Sequence, residues 1–87
     1  MADETADLAE QFTMTAPQHA ANQHIMLIAI EREYQTHLKT GSPYSQDKAI
    51  MDAIHQDEFT EPLNAEDWDA YIYELAFCLE RKLGVYL

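Results

Sequence analysis

Glu33 and His37 stand four residues apart, Asp52 and His55 three apart, and His24 and Glu31 seven apart, spacings that bring each pair to one face of a helix. Carboxylate and imidazole together are the donor set of a mixed oxygen and nitrogen metal site. The pattern falls short of one. Neither the paired Glu-x-x-His of carboxylate-bridged di-metal bundles nor His-Glu-x-x-His is present. In a chain with 16 acidic residues and four histidines, pairs at helical spacing are expected by chance. The expectation is therefore no metal and no cofactor.

Nucleophilic chemistry has still less support. Cys78 lies between Phe77 and Leu79, where burial would suppress the thiolate. The serines, Ser42 and Ser45, fall where a helix begins, so capping accounts for both. Gly41 and Gly84 fall where helices stop, and no glycine-rich phosphate loop exists. Trp68, Tyr71, Tyr73 and Phe77 could line a ligand pocket, but at helical spacing in a short chain they read as core or contact residues. The chain is not expected to be an enzyme.

What the residue types favour is recognition by charge. Sixteen acids against five Lys and Arg in 87 residues give a formal net charge of −11. A binder of nucleic acid or of an anionic membrane must bring positive charge to phosphates, so neither is an expected partner. Asp57, Glu58, Glu61, Glu66, Asp67 and Asp69 crowd six carboxylates into thirteen residues. Asp3, Glu4, Asp7 and Glu10 form a second group. Such a face could engage a basic surface of a protein partner, even copying the phosphate spacing of nucleic acid. The plainer explanation is that Glu66 and Asp67 serve a helix start and the others are solvated.

These residues need elements to position them. One domain is the size prior, and 47 per cent apolar residues argue for a folded core. One cysteine allows no internal disulfide, there is no secretory signal pattern, and the run Ile25 to Ile30 is too short to span a bilayer, so the expected location is cytoplasmic. Residues 1–14 read as an acidic segment, either frayed or a short helix docking through Leu8 and Phe12, and residues 15–87 as a single helical domain.

Three helix patterns follow. Thr15-Ala16-Pro17-Gln18 is a capping box with proline in the first turn, opening a helix over 16–40 that Gly41 ends; Leu27, Ile30, Tyr34 and Leu38 would be its buried stripe. Ser42-Pro43, with Ser45 in competition, opens a shorter helix over 43–57 whose face is Ile50, Met51 and Ile54. Pro62 then breaks the chain. Asn64 caps a third helix over 64–84, with Leu63 stapled to Trp68 and a stripe of Trp68, Tyr71, Ile72, Leu75, Leu79 and Leu83.

The predicted architecture is an all-α bundle, its two long helices antiparallel and bridged by the short one. The middle of the first helix and the Tyr73 and Phe77 strip of the third remain partly uncovered, so a two-fold homodimer is expected, with Tyr73, Phe77 and Tyr86 as the possible apolar interface. The expected function is that of a small acidic regulator or inhibitor binding a basic protein surface. The alternatives are a homo-oligomeric structural or assembly subunit whose acids only confer solubility, and adaptation to high salt.

Overall fold

The structure, a computed structural model, describes residues 11, 12, 14–60 and 67–85. Among them it is all-α, with three main helices: α1 (Ala16–Thr40), α2 (Gln46–Ile54) and α3 (Trp68–Leu83).

α1 opens as its sequence dictates. The Thr15 hydroxyl accepts the Gln18 amide, and the Gln18 side chain accepts the Thr15 amide, both at 3.2 Å. Such a box is worth about 1 kcal/mol. At the far end Gly41 takes φ 74°, a left-handed conformation that other residues adopt only under strain, and its amide bonds back to the His37 carbonyl. The His37 ring Nδ1 donates to the Ser42 carbonyl, and the Ser42 amide donates to the Thr40 hydroxyl. Ser42 is thereby committed to closing α1. Ser45 starts α2 instead, its hydroxyl accepting the Lys48 amide, so α2 begins three residues later than the 43–57 expectation.

α2 also ends early. The His55 ring donates to the Met51 carbonyl at 2.6 Å, and a tight turn in which the Phe59 amide bonds to Gln56 carries Phe59 inward. The described part of α3 begins at Trp68; Asp67 precedes it without a side-chain capping bond. The expected cap Asn64, staple residue Leu63 and breaker Pro62 lie outside the described residues. Gly84, at φ 72°, ends α3.

Packing directions come from the contacts. Arg32 pairs with Asp52, and Ile25 shares a groove with Gln56, so α2 returns against α1. His19 bonds Tyr71 near the start of α3, whereas Tyr44 and Gln46, just past the end of α1, bond Glu80 near the end of α3. α3 therefore runs in the same direction as α1. This corrects the expected antiparallel pair of long helices: the nine-residue α2 is a full return leg of an up-down-up bundle, not a bridge.

α1 packs on both other helices, which touch each other less. Its inward residues are His19, Asn22, Met26, Ala29 and Ile30. Of the predicted stripe only Ile30 is fully enclosed; Leu27 and Tyr34 are half-buried and Leu38 is 58% exposed. Ala29, Ala49, Ala53 and Ala76 are buried among Met26, Ile30, Ile50, Tyr71, Ile72 and Leu75. Phe12 joins this core edge-on to Tyr71, with ring centroids 5.5 Å apart.

Candidate interaction surfaces

A buried polar set builds one end of the bundle. The Asn22 carboxamide, fully enclosed, behaves towards Thr60 as a neighbouring peptide would: its Oδ1 accepts the Thr60 amide at 2.8 Å and its Nδ2 donates to the Thr60 carbonyl at 2.8 Å. The same Nδ2 also donates to the Tyr71 hydroxyl at 3.1 Å. The Tyr71 hydroxyl also bonds His19 Nδ1, 2.8 Å away. Burial pushes the Tyr71 hydroxyl up to about 12, with the Asn22 bond opposing the shift. Phe59 then meets Trp68 edge-on at 5.7 Å. These bonds fix the 55–60 turn and the start of α3 against the first half of α1.

That end carries the acids. Asp57 and Glu58 on the turn and Asp69 on α3 are exposed, and Asp67 is half-buried. Glu61 and Glu66 lie outside the described residues. From Ala49 to Glu80 the chain contains no Lys or Arg at all. The cations gather elsewhere: Lys39 at the end of α1, and Arg81 and Lys82 at the end of α3, belong to the opposite pole, with Lys48 near the start of α2 and Arg32 midway along α1. One end of the bundle thus carries exposed acids and no Lys or Arg, whereas the remainder carries both signs, Asp47 beside Lys48 and Glu31 and Glu33 beside Arg32. Asp47, at the start of α2, lies 3.4 Å from the Tyr73 hydroxyl; its charge, with some help from Asp69, raises the phenol above its ordinary range.

The second surface is apolar. Tyr73 and Phe77 project from α3 at 40% and 49% exposure, beside a shallow groove lined by Ala70, Glu74, Cys78 and Arg81. Met51 is exposed on α2, where a further groove joins it to Trp68 and Tyr73. Tyr86 lies outside the described residues. A groove of about 700 Å³ separates α1 from the end of α3 and is bordered by Ile28, Tyr34, Lys39, Leu83 and Val85.

Of the histidine and carboxylate pairs, Asp52 faces Arg32 and two of the histidines bond to the backbone. His37 and His55 each spend a ring nitrogen on a backbone carbonyl, and among the described residues no three of His, Cys, Asp and Glu gather into a coordinating group. Cys78 is buried, with the Arg81 guanidinium 3.7 Å from its sulfur.

Three buried polar positions that hold the bundle together are absent from the sequence expectations. His19 and Asn22 continue the Met26 and Ile30 stripe at helical spacing, a signal that was available had polar residues been allowed in the core. Glu80 is fully buried, its two carboxylate oxygens accepting from the Tyr44 hydroxyl and from Gln46 Nε2 at 2.7 Å. It continues the buried Ile72 and Ala76 at four-residue spacing.

Fold and surfaces together define a small all-α three-helix protein with one acidic end and one apolar helix face. Comparison of the chain with protein families, curated proteins and solved structures gives no match. No helix among the described residues is long and apolar enough to cross a membrane.

Proposed function

We propose that this is a non-enzymatic interaction protein, a small regulator or inhibitor whose acidic end binds a basic surface on a protein partner. The observation that carries this reading is an acidic end without cations: exposed carboxylates at Asp57, Glu58 and Asp69, with no Lys or Arg in the chain from Ala49 to Glu80. Acids serving solubility alone have no reason to separate from the cations, since interspersed charge serves that end as well. A concentrated negative field speeds encounter with a cationic face and rejects nucleic acid. The buried Asn22 and Thr60 pairing gives the acid-bearing turn a fixed position, so less ordering entropy is lost on binding.

The test is capture of partners from lysate at about 0.05 and 0.5 M salt, salt levels chosen to span strong and weak screening. The wild-type chain is expected to retain a basic protein only at low salt. Replacing Glu61, Glu66 and Asp69 with lysine should abolish that capture; a partner held equally well by the charge-reversed chain would refute the acidic site.

A second reading has its own observation. Tyr73 and Phe77 are large, adjacent and exposed, which favours self-association into a two-fold dimer, the chain then serving as an assembly subunit. Charge reversal at the acidic end would leave that association intact.

A further inference from the structure

Along the outward face of α3, Ala70, Glu74, Phe77 and Arg81 follow one another at spacings of four, three and four, with Tyr73 and Cys78 at the margins. Together they border a groove of about 460 Å³. Its floor is the buried Cys78 and its upstanding wall is Phe77. Arg81 already leans across it, donating towards the Cys78 sulfur.

The order along this stripe is small, acidic, aromatic, basic. Such an order is complementary to its own reverse. If a second α3 is laid antiparallel with the midpoint between positions 77 and 78, Glu74 of each copy comes opposite Arg81 of the other, and the two Phe77 rings meet at the axis. Glu74 and Arg81 are separated by two helical turns, about 10.5 Å, which leaves room for the rings between the flanking ion pairs. We propose that two copies of the chain associate through this stripe, Phe77 against Phe77 on a two-fold axis with a reciprocal Glu74 and Arg81 pair on either side. This rests on the self-association reading above and adds its register.

Charge selects the occupant. A cationic partner would meet Arg81 on this face and an anionic one would meet Glu74, whereas a second copy in reverse satisfies both. A parallel pairing would set Glu74 against Glu74. The antiparallel one also carries the two acidic ends to opposite extremes of the dimer, where the repulsion between two chains of net charge −11 is least. Guanidinium and carboxylate can pair through two parallel hydrogen bonds, giving the contact a preferred geometry. The contact from Ala70 to Arg81 is about 17 Å long, small for a stable interface, so dissociation in the range of tens of micromolar is expected, on the order of 6 kcal/mol in association free energy.

Sedimentation equilibrium of the full chain tests this between about 1 µM and 1 mM, a range that brackets the expected affinity. The wild type is expected to dimerise, Phe77→Ala to weaken the dimer at least about tenfold, and Glu74→Arg or Arg81→Glu each to do the same. The decisive sample is an equimolar mixture of Glu74→Arg and Arg81→Glu chains, both substituted at exposed positions, with helical circular dichroism confirming the fold. In the mixture every ion pair re-forms with its sign reversed or intact, so association should return to near the wild-type level. A wild type that stays monomeric to about 1 mM overturns both this inference and the self-association reading. A wild-type dimer that ignores Glu74→Arg, or a mixture that fails to recover, overturns the register alone.

Discussion

Asn22 does at a single point in the core what a paired strand does along its length, supplying an acceptor to the N–H and a donor to the C=O of one residue, Thr60. Its second donated bond reaches Tyr71, whose hydroxyl in turn faces His19, so one turn of α1 holds the start of α3 and the end of the 55–60 turn at once. The phenol records this enclosure. Folded, Tyr71 keeps its proton up to about 12; unfolded, it releases it near 10. The folded value is the higher one, so the unfolded chain binds fewer protons in that window and stability falls as pH rises through it. The contribution is complete below pH 10 and is lost by about 12. Urea denaturation between pH 9 and 12 should show the midpoint falling. Tyr73 is also raised, so the wild-type curve alone does not isolate the buried ring. Tyr71→Phe should flatten part of the fall while lowering stability at pH 8 by about 1–2 kcal/mol, because two polar partners are left behind. Equal slopes in the two proteins would show that Tyr71 is not responsible.

The elements were legible to different depths. α1 announced both ends through Thr15, Pro17, Gln18 and Gly41, because capping is written in local residue types and needs no tertiary partner. Its inward face was misplaced for the opposite reason. Hydrophobic spacing selected Leu38, which ends 58% exposed, and passed over Asn22, whose burial depends on a backbone 38 residues away. The α3 stripe was readable from Tyr71 to Leu79, as was the outward strip of Tyr73 and Phe77, since apolar periodicity sufficed there, but its last expected member, Leu83, is 42% exposed. The acidic end was visible as a cluster in sequence; its separation from the cations was not, because that follows from the helix directions. Glu80 is the clearest case of tertiary context overriding type. A fully buried carboxylate on α3 is satisfied by Tyr44 and Gln46 from the α1–α2 connection and the first residue of α2, tying together elements that touch each other less than either touches α1. Glu80→Ala leaves those two groups without their acceptor and opens a cavity, and should cost about 2–4 kcal/mol in thermal or chemical unfolding. Glu80→Gln, which keeps the volume and an acceptor oxygen, should cost less. A Glu80→Ala melting temperature equal to that of the wild type would deny the link any part in stability.

At the scale of the whole molecule, a net charge of −11 on 87 residues opposes compaction, and that repulsion is felt over roughly 30 Å at 0.01 M salt but only about 8 Å at 0.15 M. Raising salt across this range should therefore lift the melting temperature by a few degrees, on the order of 1 kcal/mol or less. The same addition should weaken capture of a basic partner. Opposite responses to one variable separate recognition from mere solubility, and a fold that required molar salt would instead mark a surface adapted to a saline habitat. The up-down-up course has one more result. Because α1 and α3 point the same way, their peptide dipoles add, with only the short α2 opposing, and the two amino-terminal ends emerge at the pole that bears the carboxylates. Backbone and side chains thus set up electric moments of opposite sense along one axis, so the particle as a whole is less polar lengthwise than its ionised groups alone would make it.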